Sequence, residues 1–296
     1  SEQALASIRL NVIGQTLLIY AVLVGAIAFM LRRITRPLAT LTTRVERFAA
    51  TRNPDAQLAP EGPEDIRRLI VAHNGMEARI TALLDEKDVM LGAIGHDLKT
   101  PLAALRVRIE SVEDDTERGR MAATIEDITR SLDDILALAR AGHAREPREM
   151  TELSALLASL AEEYEDMGEP VSLEPGERMA LPVRATWLRR ALRILIGNAL
   201  RYGKAARVSL ARDGSSVVFR VDDDGPGIAE DEMARMLEPF TRGEPSRNSE
   251  TGGAGLGLAL ARAIADQHGG TLALINRRSA RCAVERLTAE LRLPLG

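Results

Sequence analysis

Residues 96 to 102 read His-Asp-Leu-Lys-Thr-Pro-Leu, which sets an imidazole, a carboxylate, an amine and a hydroxyl side by side in a stretch otherwise patterned as an amphipathic helix. A neutral imidazole nitrogen is a nucleophile, and a neighbouring carboxylate orients the other ring nitrogen or takes its proton. His96 and Asp97 are therefore a candidate nucleophile and base. Thr100 lies four residues on, one turn along the same face. Pro101 has no N–H, so the Asp97 carbonyl loses its helical partner and the helix is expected to bend or loosen just past the histidine. His73, His143 and His268 lack such company and read as solvated face residues, with His73 half-buried.

Three stretches in the C-terminal half suggest what the nucleophile attacks. In "LIGNALRYG", Asn198 sits on an apolar helix with Arg201 and Tyr202 close behind. A buried amide is costly unless bonded, and its oxygen suits Mg²⁺. In "VDDDGPGI", Asp223 ends an alternating strand and is followed by Gly225 and Gly227. In "GGAGLGLAL", Gly253, Gly255, Leu256 and Gly257 form a glycine-rich loop running into a helix, where backbone N–H groups and the helix N-terminus favour phosphate. The spacing is not that of a dinucleotide fingerprint, and no Gly-Lys-Ser/Thr follows to make a P-loop.

The elements that hold these residues are mostly helical. Residues 12 to 31 carry no charge and are long enough, as a helix, to span the roughly 30 Å of a bilayer core; a buried core helix or a signal peptide are the alternatives. Arg32, Arg33 and Arg36 follow it while Arg9 alone precedes it, which assigns the chain from residue 32 onward to the cytoplasm. The chain starts at Ser1 without methionine and is expected to be the C-terminal part of something longer. Next come two amphipathic helices, one with Leu38, Leu41, Val45 and Phe48 on a face, the other with Ile66, Leu69, His73 or Met76, and Ile80. A Pro/Gly-rich connector, 51 to 63, separates them. A plain solvated linker is the alternative.

Beyond them, Ile80, Leu84, Leu91, Ile94, Leu98, Leu102, Leu105 and Ile109 recur at helical spacing. Met121, Ile125, Ile128, Leu132, Ile135 and Leu138 repeat the pattern after a polar turn near 113 to 119. One hairpin supplies two helices, so a four-helix bundle requires a homodimer. His96, two residues from both Ile94 and Leu98, falls opposite the seam and faces solvent. The balance of 39 Lys and Arg against 43 Asp and Glu argues against a nucleic-acid partner, and Cys282, the sole cysteine, excludes an intrachain disulfide.

The set resembles the bacterial transmembrane sensor histidine kinases of two-component systems. His96 to Leu102 looks like their phosphoacceptor box, while Asn198, Asp223 with Gly225 and Gly227, "EPF" at 238 to 240, and Gly253 to Leu258 look like their N, G1, F and G2 boxes, in the family's order. The helix pair, with its Pro-Leu, loop and Glu64, resembles a HAMP module. The resemblance implies a multidomain fold: an extracytoplasmic end (1–11), a transmembrane helix (12–31), a HAMP-like module (32–84), a dimeric four-helix bundle (85–145) and an α/β sandwich ATP-binding domain (146–296). It implies that Asn198 holds Mg²⁺, Asp223 bonds the adenine amino group, Tyr202 lies against adenine, Arg201 faces phosphate, and Gly253, Gly255, Leu256 and Gly257 shape a lid, about 229 to 252, that is disordered without nucleotide. It further implies a homodimer in the inner (cytoplasmic) membrane, in contact with membrane lipid, that autophosphorylates His96 from ATP and passes the group to a response regulator receiver domain. Thr100 would hold the water that dephosphorylates that partner. A mainly phosphatase protein, or a nucleotide-binding scaffold without phosphotransfer, are the alternatives. One position departs from the pattern: four residues before Asn198 the family usually has a second asparagine, and here it is Ile194.

Overall fold

The computed structural model describes residues 2–51, 57–141, 146–241, 255–278 and 284–295, so Gly253, His143 and Cys282 lie outside the described residues. The chain divides into two compact units, Ser1–Lys87 and Asp88–Gly296.

The first unit holds α1 (Glu2–Thr51) and the beginning of α2 (Glu64–Ile109). Ile13–Glu46 is, among the described residues, the one helical stretch long and apolar enough to cross a membrane. Its Leu17, Ile19 and Phe29 are all more than half exposed, which suits lipid and not water. The sequence suggested a transmembrane helix and then a separate amphipathic one, but α1 runs through both, past Pro37, which removes a single intrahelical bond. Likewise α2 joins the second amphipathic helix to the hairpin and continues through Pro101 without a break in the helix.

The expected apolar faces are partly corrected. The buried positions are Leu41, Arg44 and Phe48 on α1, and Ile70, His73 and Glu77 on α2, at the same spacing of three then four; Val45, Leu69 and Met76 are exposed. Charged side chains occupy this face because they pair. Arg44 donates from Nε to Glu77 Oε1 at 2.9 Å and from Nη2 to Oε2 at 2.8 Å, and His73 Nε2 lies 3.1 Å from Oε1. His73 is thus buried, not half-solvated.

In the second unit the end of α2 lies antiparallel to α3 (Asp115–Ala141). Contacts step evenly along the pair: Gly92 against Arg140, Gly95 against Leu136, Lys99 with Asp133 at 2.6 Å and Arg106 with Glu126 at 2.6 Å. The Asp114 carboxylate accepts from the N–H groups of Thr116 and Glu117, capping α3, so the turn closes before residue 115, earlier than the polar run suggested.

The region from residue 149 onward is a two-layer sandwich. A five-stranded sheet has the order β2 (Val171–Leu173), β4 (Ala206–Asp213), β5 (Ser216–Asp223), β7 (Val284–Pro294), β6 (Thr271–Arg278), with β2 and β4 parallel and the other pairs antiparallel. A separate ribbon pairs β1 (Glu149–Glu152) with β3 (Ala180–Val183). Helices α4 (Leu153–Asp166), α5 (Ala185–Gly203) and α6 (Gly257–Gln267) cover one face of the large sheet. On α5 the buried residues Leu188, Ala191, Leu192, Leu195, Ile196 and Ala199 recur at three and four, the stripe that seats it on Val208, Phe219 and Val221 of the sheet. Ala137 and Ala141 of α3 belong to the same core.

Candidate functional site

His96 and Asp97 are both solvent-exposed on α2. Among the described residues neither side chain has a hydrogen-bond partner, which leaves the imidazole free to meet an incoming group. Thr100 donates its hydroxyl to the His96 carbonyl at 3.1 Å, one residue short of the carbonyl that Pro101 frees. Gly95, just before the histidine, is buried, and a Cβ there would lie 2.6 Å from Leu136 Cδ1, so the glycine lets α3 approach closely beneath His96.

The second group of residues converges on the end of β5. Asp223 is buried, and its Oδ1 accepts the Gly225 N–H at 2.8 Å. Burial pushes its carboxyl up to about 6, against the pull of that N–H. Gly203, at the end of α5, and Gly225 wall it in: a Cβ on Gly203 would lie 2.5 Å from the Asp223 Cβ, and one on Gly225 2.6 Å from Oδ1. Asp223 has a second carboxylate oxygen, an acceptor suited to an amino group. Asn276 of β6 pins the loop that follows, accepting the Ile228 N–H at 3.2 Å and donating to its carbonyl at 2.6 Å. Sequence reasoning missed Gly203 and Asn276. Gly203 was legible as the glycine ending an apolar helix, but nothing local marks Asn276, which acts across 48 residues.

Asn198 and Arg201 are half-buried on the last turns of α5, and Tyr202 is 48% exposed, with the Arg201 guanidinium 5.9 Å from its ring centre. Helix α6 starts at Gly257 and its N-cap, Leu256, offers no side-chain cap, so among the described residues nothing caps its first N–H groups, which suit an anion. Gly255 has φ +68°, and its carbonyl accepts the Phe240 N–H at 3.0 Å, tying "EPF" to the glycine loop. Of the expected lid, residues 229–241 include a short 3₁₀ turn, Arg235–Leu237, while 242–252 lie outside the described residues. Ile194 packs toward the start of α6, where a Cβ on Gly257 would meet its Cγ2 at 3.1 Å.

His268, expected to be solvated, is buried. Its Nε2 accepts the Arg184 N–H at 3.0 Å and its Nδ1 donates to the Ile264 carbonyl at 2.8 Å, an arrangement that requires the neutral ring. Burial, with Arg148 and Arg184 nearby, lowers its pKa.

The donor set fits a nucleotide: an acceptor in a tight cradle, an open helix N-terminus and an amide oxygen for a hard cation. Residues 183–295 match the histidine kinase-, DNA gyrase B- and HSP90-like ATPase family, and this region is an ATP-binding domain of that kind. Over 266 residues, 88% of this chain and 53% of the relative, the chain is 35% identical to the sensor histidine kinase GtrS of Pseudomonas aeruginosa. It is 37% identical to the sensor protein RstB of Escherichia coli over 69% of the chain and 49% of that protein. It is also 30% identical to the sensor protein BasS of Salmonella typhimurium over 83% of the chain and 71% of that protein. Full-length ShkA, solved in complex with AMPPNP, superposes with a TM-score of 0.54 at 23% identity, covering 71% of this chain and 46% of that one, a likeness of fold. The chain belongs to the bacterial sensor histidine kinases. It spans about half the length of the first two of these relatives.

Proposed function

We propose that the chain is the membrane-anchored transmitter part of a sensor histidine kinase, phosphorylating His96 from Mg-ATP and passing the group to an aspartate of a response regulator receiver domain. The observation that carries this is the pairing, in one compact unit, of an exposed His96–Asp97 with the walled Asp223 cradle.

Asp223 accepts the adenine amino group, Tyr202 lies along the ring, and Arg201 with the N–H groups of Gly255, Leu256 and Gly257 meets the phosphates; Gly253 completes that loop. Asn198 supplies an oxygen ligand for Mg²⁺, which when bound neutralises phosphate charge. The free imidazole nitrogen of His96 attacks the γ-phosphorus as the bond to the ADP oxygen breaks, and Asp97 takes the proton from the other ring nitrogen. The P–N bond is then broken by the regulator's carboxylate. In the reverse duty Thr100 holds the water that hydrolyses the aspartyl phosphate.

Ile94, Leu98 and Leu105 on α2, with Met121, Ile128 and Ile135 on α3, remain 40% or more exposed in the single chain at spacings of four and seven. That stripe supports a homodimeric four-helix bundle over residues 85–145, which in the chain follows a HAMP-like module over 32–84. The apolar helix at 12–31 with Arg32, Arg33 and Arg36 behind it supports an inner-membrane protein, in contact with lipid, whose catalytic part is cytoplasmic.

The test is incubation of the full chain in nanodiscs with γ-labelled ATP and Mg²⁺. Protein label that is lost in acid and kept in alkali, and absent from His96→Gln, is the expected result. Nucleotide binding without protein label would leave only a nucleotide-responsive scaffold.

A further inference from the structure

The two helices that build the nucleotide site also have remote ends, and those ends are held by the connector from the hairpin. Helices α5 and α6 run antiparallel. The Arg184 N–H at the start of α5 donates to His268 at the end of α6, while Ile194, further along α5, adjoins Gly257 at the start of α6. The nucleotide-binding ends are Asn198–Gly203 and Gly257.

At the remote end the N-cap of α5, Arg184, provides no side-chain cap. Glu146 does this from the connector: its Oε1 accepts the Thr186 N–H at 3.2 Å, and its carbonyl accepts Arg184 Nε at 2.7 Å. Two residues on, Arg148 Nη2 donates to the Gln267 carbonyl at 3.0 Å, the last residue of α6. A carboxylate thus meets the positive end of one helix dipole and a guanidinium the negative end of the other. Within three residues the connector sets the spacing between the ends of both helices.

We infer that Glu146 and Arg148 are positioning residues for the nucleotide site, acting through α5 and α6. This rests on the nucleotide-binding reading above. Each helix is continuous from its remote end to the nucleotide site, so loosening the remote ends lets the N-terminus of α6 drift from Asn198. The same two residues follow directly on the connector from α3, whose final residue Ala141 is buried in the sandwich core.

The experiment measures the Kd of the full chain for Mg-ADP by calorimetry and the KM and kcat for ATP in His96 phosphorylation. Glu146→Ala and Arg148→Ala are each expected to raise Kd and KM by about three- to tenfold, the scale of a lost helix-end interaction, with kcat within about twofold. Arg148→Lys, which keeps a charged donor, restores most of the affinity. Glu163→Ala, which removes the exposed partner of Arg193 elsewhere on α5, leaves Kd unchanged. Unchanged Kd in both alanine variants, Arg148→Lys as weak as Arg148→Ala, an equal loss in Glu163→Ala, or a fall in kcat at constant KM would each overturn the inference. The ADP measurement uses no His96 chemistry, so a chain that binds ADP but takes no label refutes the kinase reading and still decides this one.

Discussion

Gly225 donates its N–H to Oδ1 of Asp223 at 2.8 Å, and a Cβ on that same glycine would stand 2.6 Å from the oxygen it holds. The bond and the close approach are one requirement: only a residue without a side chain delivers its N–H to a carboxylate this enclosed. Gly225→Ala is expected to lower nucleotide affinity by about tenfold or more, since it displaces the acceptor itself. Titration with Mg-ADP checks it, and wild-type affinity in this variant would mean the cradle is slack.

Asp223 titrates near 6, raised from 3.8 chiefly by burial. Its ionised form is the better acceptor for an amino group, so affinity for ADP is expected to hold above pH 7 and fall as pH drops through 6. Stability runs the other way. A carboxyl raised in the folded state favours the protonated fold, so this group's contribution is lost as pH rises from about 4 through 6. Asp223→Asn is therefore expected to lose affinity by about ten- to a hundredfold at pH 7.5, abolish its pH dependence, and melt higher than wild type there. Calorimetry and thermal melts between pH 5 and 8 read both effects.

These two residues stood out in the sequence as an acidic strand end followed two residues on by a glycine, a pattern not decisive alone that took its role from the family resemblance. Helix α5 was equally legible, its stripe ending at a glycine. What the sequence concealed depended on distant partners. Arg44 and Glu77 occupy core positions that apolar spacing assigned to Val45 and Met76, because a bidentate pair offsets part of the cost of burying the two charges, and only the fold brings them together across 33 residues. His268 lies in a helix-end run that reads as solvated, and becomes core because Arg184 meets it from 84 residues away. The merging of supposed modules into α1 and α2 has a simpler cause: neither junction contains a glycine turn, and Pro37 lies inside α1 without ending it.

The Arg44–Glu77 pair carries its own prediction. Glu77 is held below the usual carboxylate range, first by its hydrogen bond to Arg44, against the effect of burial. Its contribution to the first unit is therefore present above about pH 4.5 and lost as pH falls through the lowered value. Glu77→Ala removes the carboxylate that both Nε and Nη2 of Arg44 meet and is expected to cost about 3 kcal/mol. The double variant Arg44→Met with Glu77→Met is expected to recover most of it. Denaturant melts of the three proteins in detergent decide this; an additive loss in the double variant would show that the two side chains act independently.

His268 sets a limit at lower pH for the second unit. Its Nε2 accepts the Arg184 N–H and its Nδ1 donates to Ile264, so protonation of Nε2 breaks the first bond and places a cation beside Arg148 and Arg184, with Glu146 the one opposing charge among the groups that act on it. Because its folded pKa is lowered, stability from this group is full above 6.5 and is lost as pH falls through the folded value. His268→Gln, neutral at every pH, is expected to melt lower at pH 7.5 and to show a flatter decline between pH 6.5 and 5. A parallel decline in both proteins would assign the acid limb to other groups.

Thr100 decides between a structural and a chemical role for the face beside His96. Its hydroxyl donates to the His96 carbonyl at 3.1 Å, which uses its proton and leaves oxygen lone pairs able to accept from a water. If the hydroxyl only braces the backbone, Thr100→Ala loosens the turn that carries the nucleophile and both directions of phosphate transfer suffer together. If it holds the hydrolytic water, as proposed, dephosphorylation of the regulator falls by about tenfold or more while His96 labelling survives, and Thr100→Ser recovers hydrolysis. Asp97→Ala is expected to do the reverse, because removing the proton from His96 matters for attack on ATP and less for hydrolysis of an acyl phosphate on the partner. Single-turnover labelling and regulator dephosphorylation, measured on the same preparations, separate the cases; equal loss of both activities in Thr100→Ala would make the threonine a brace.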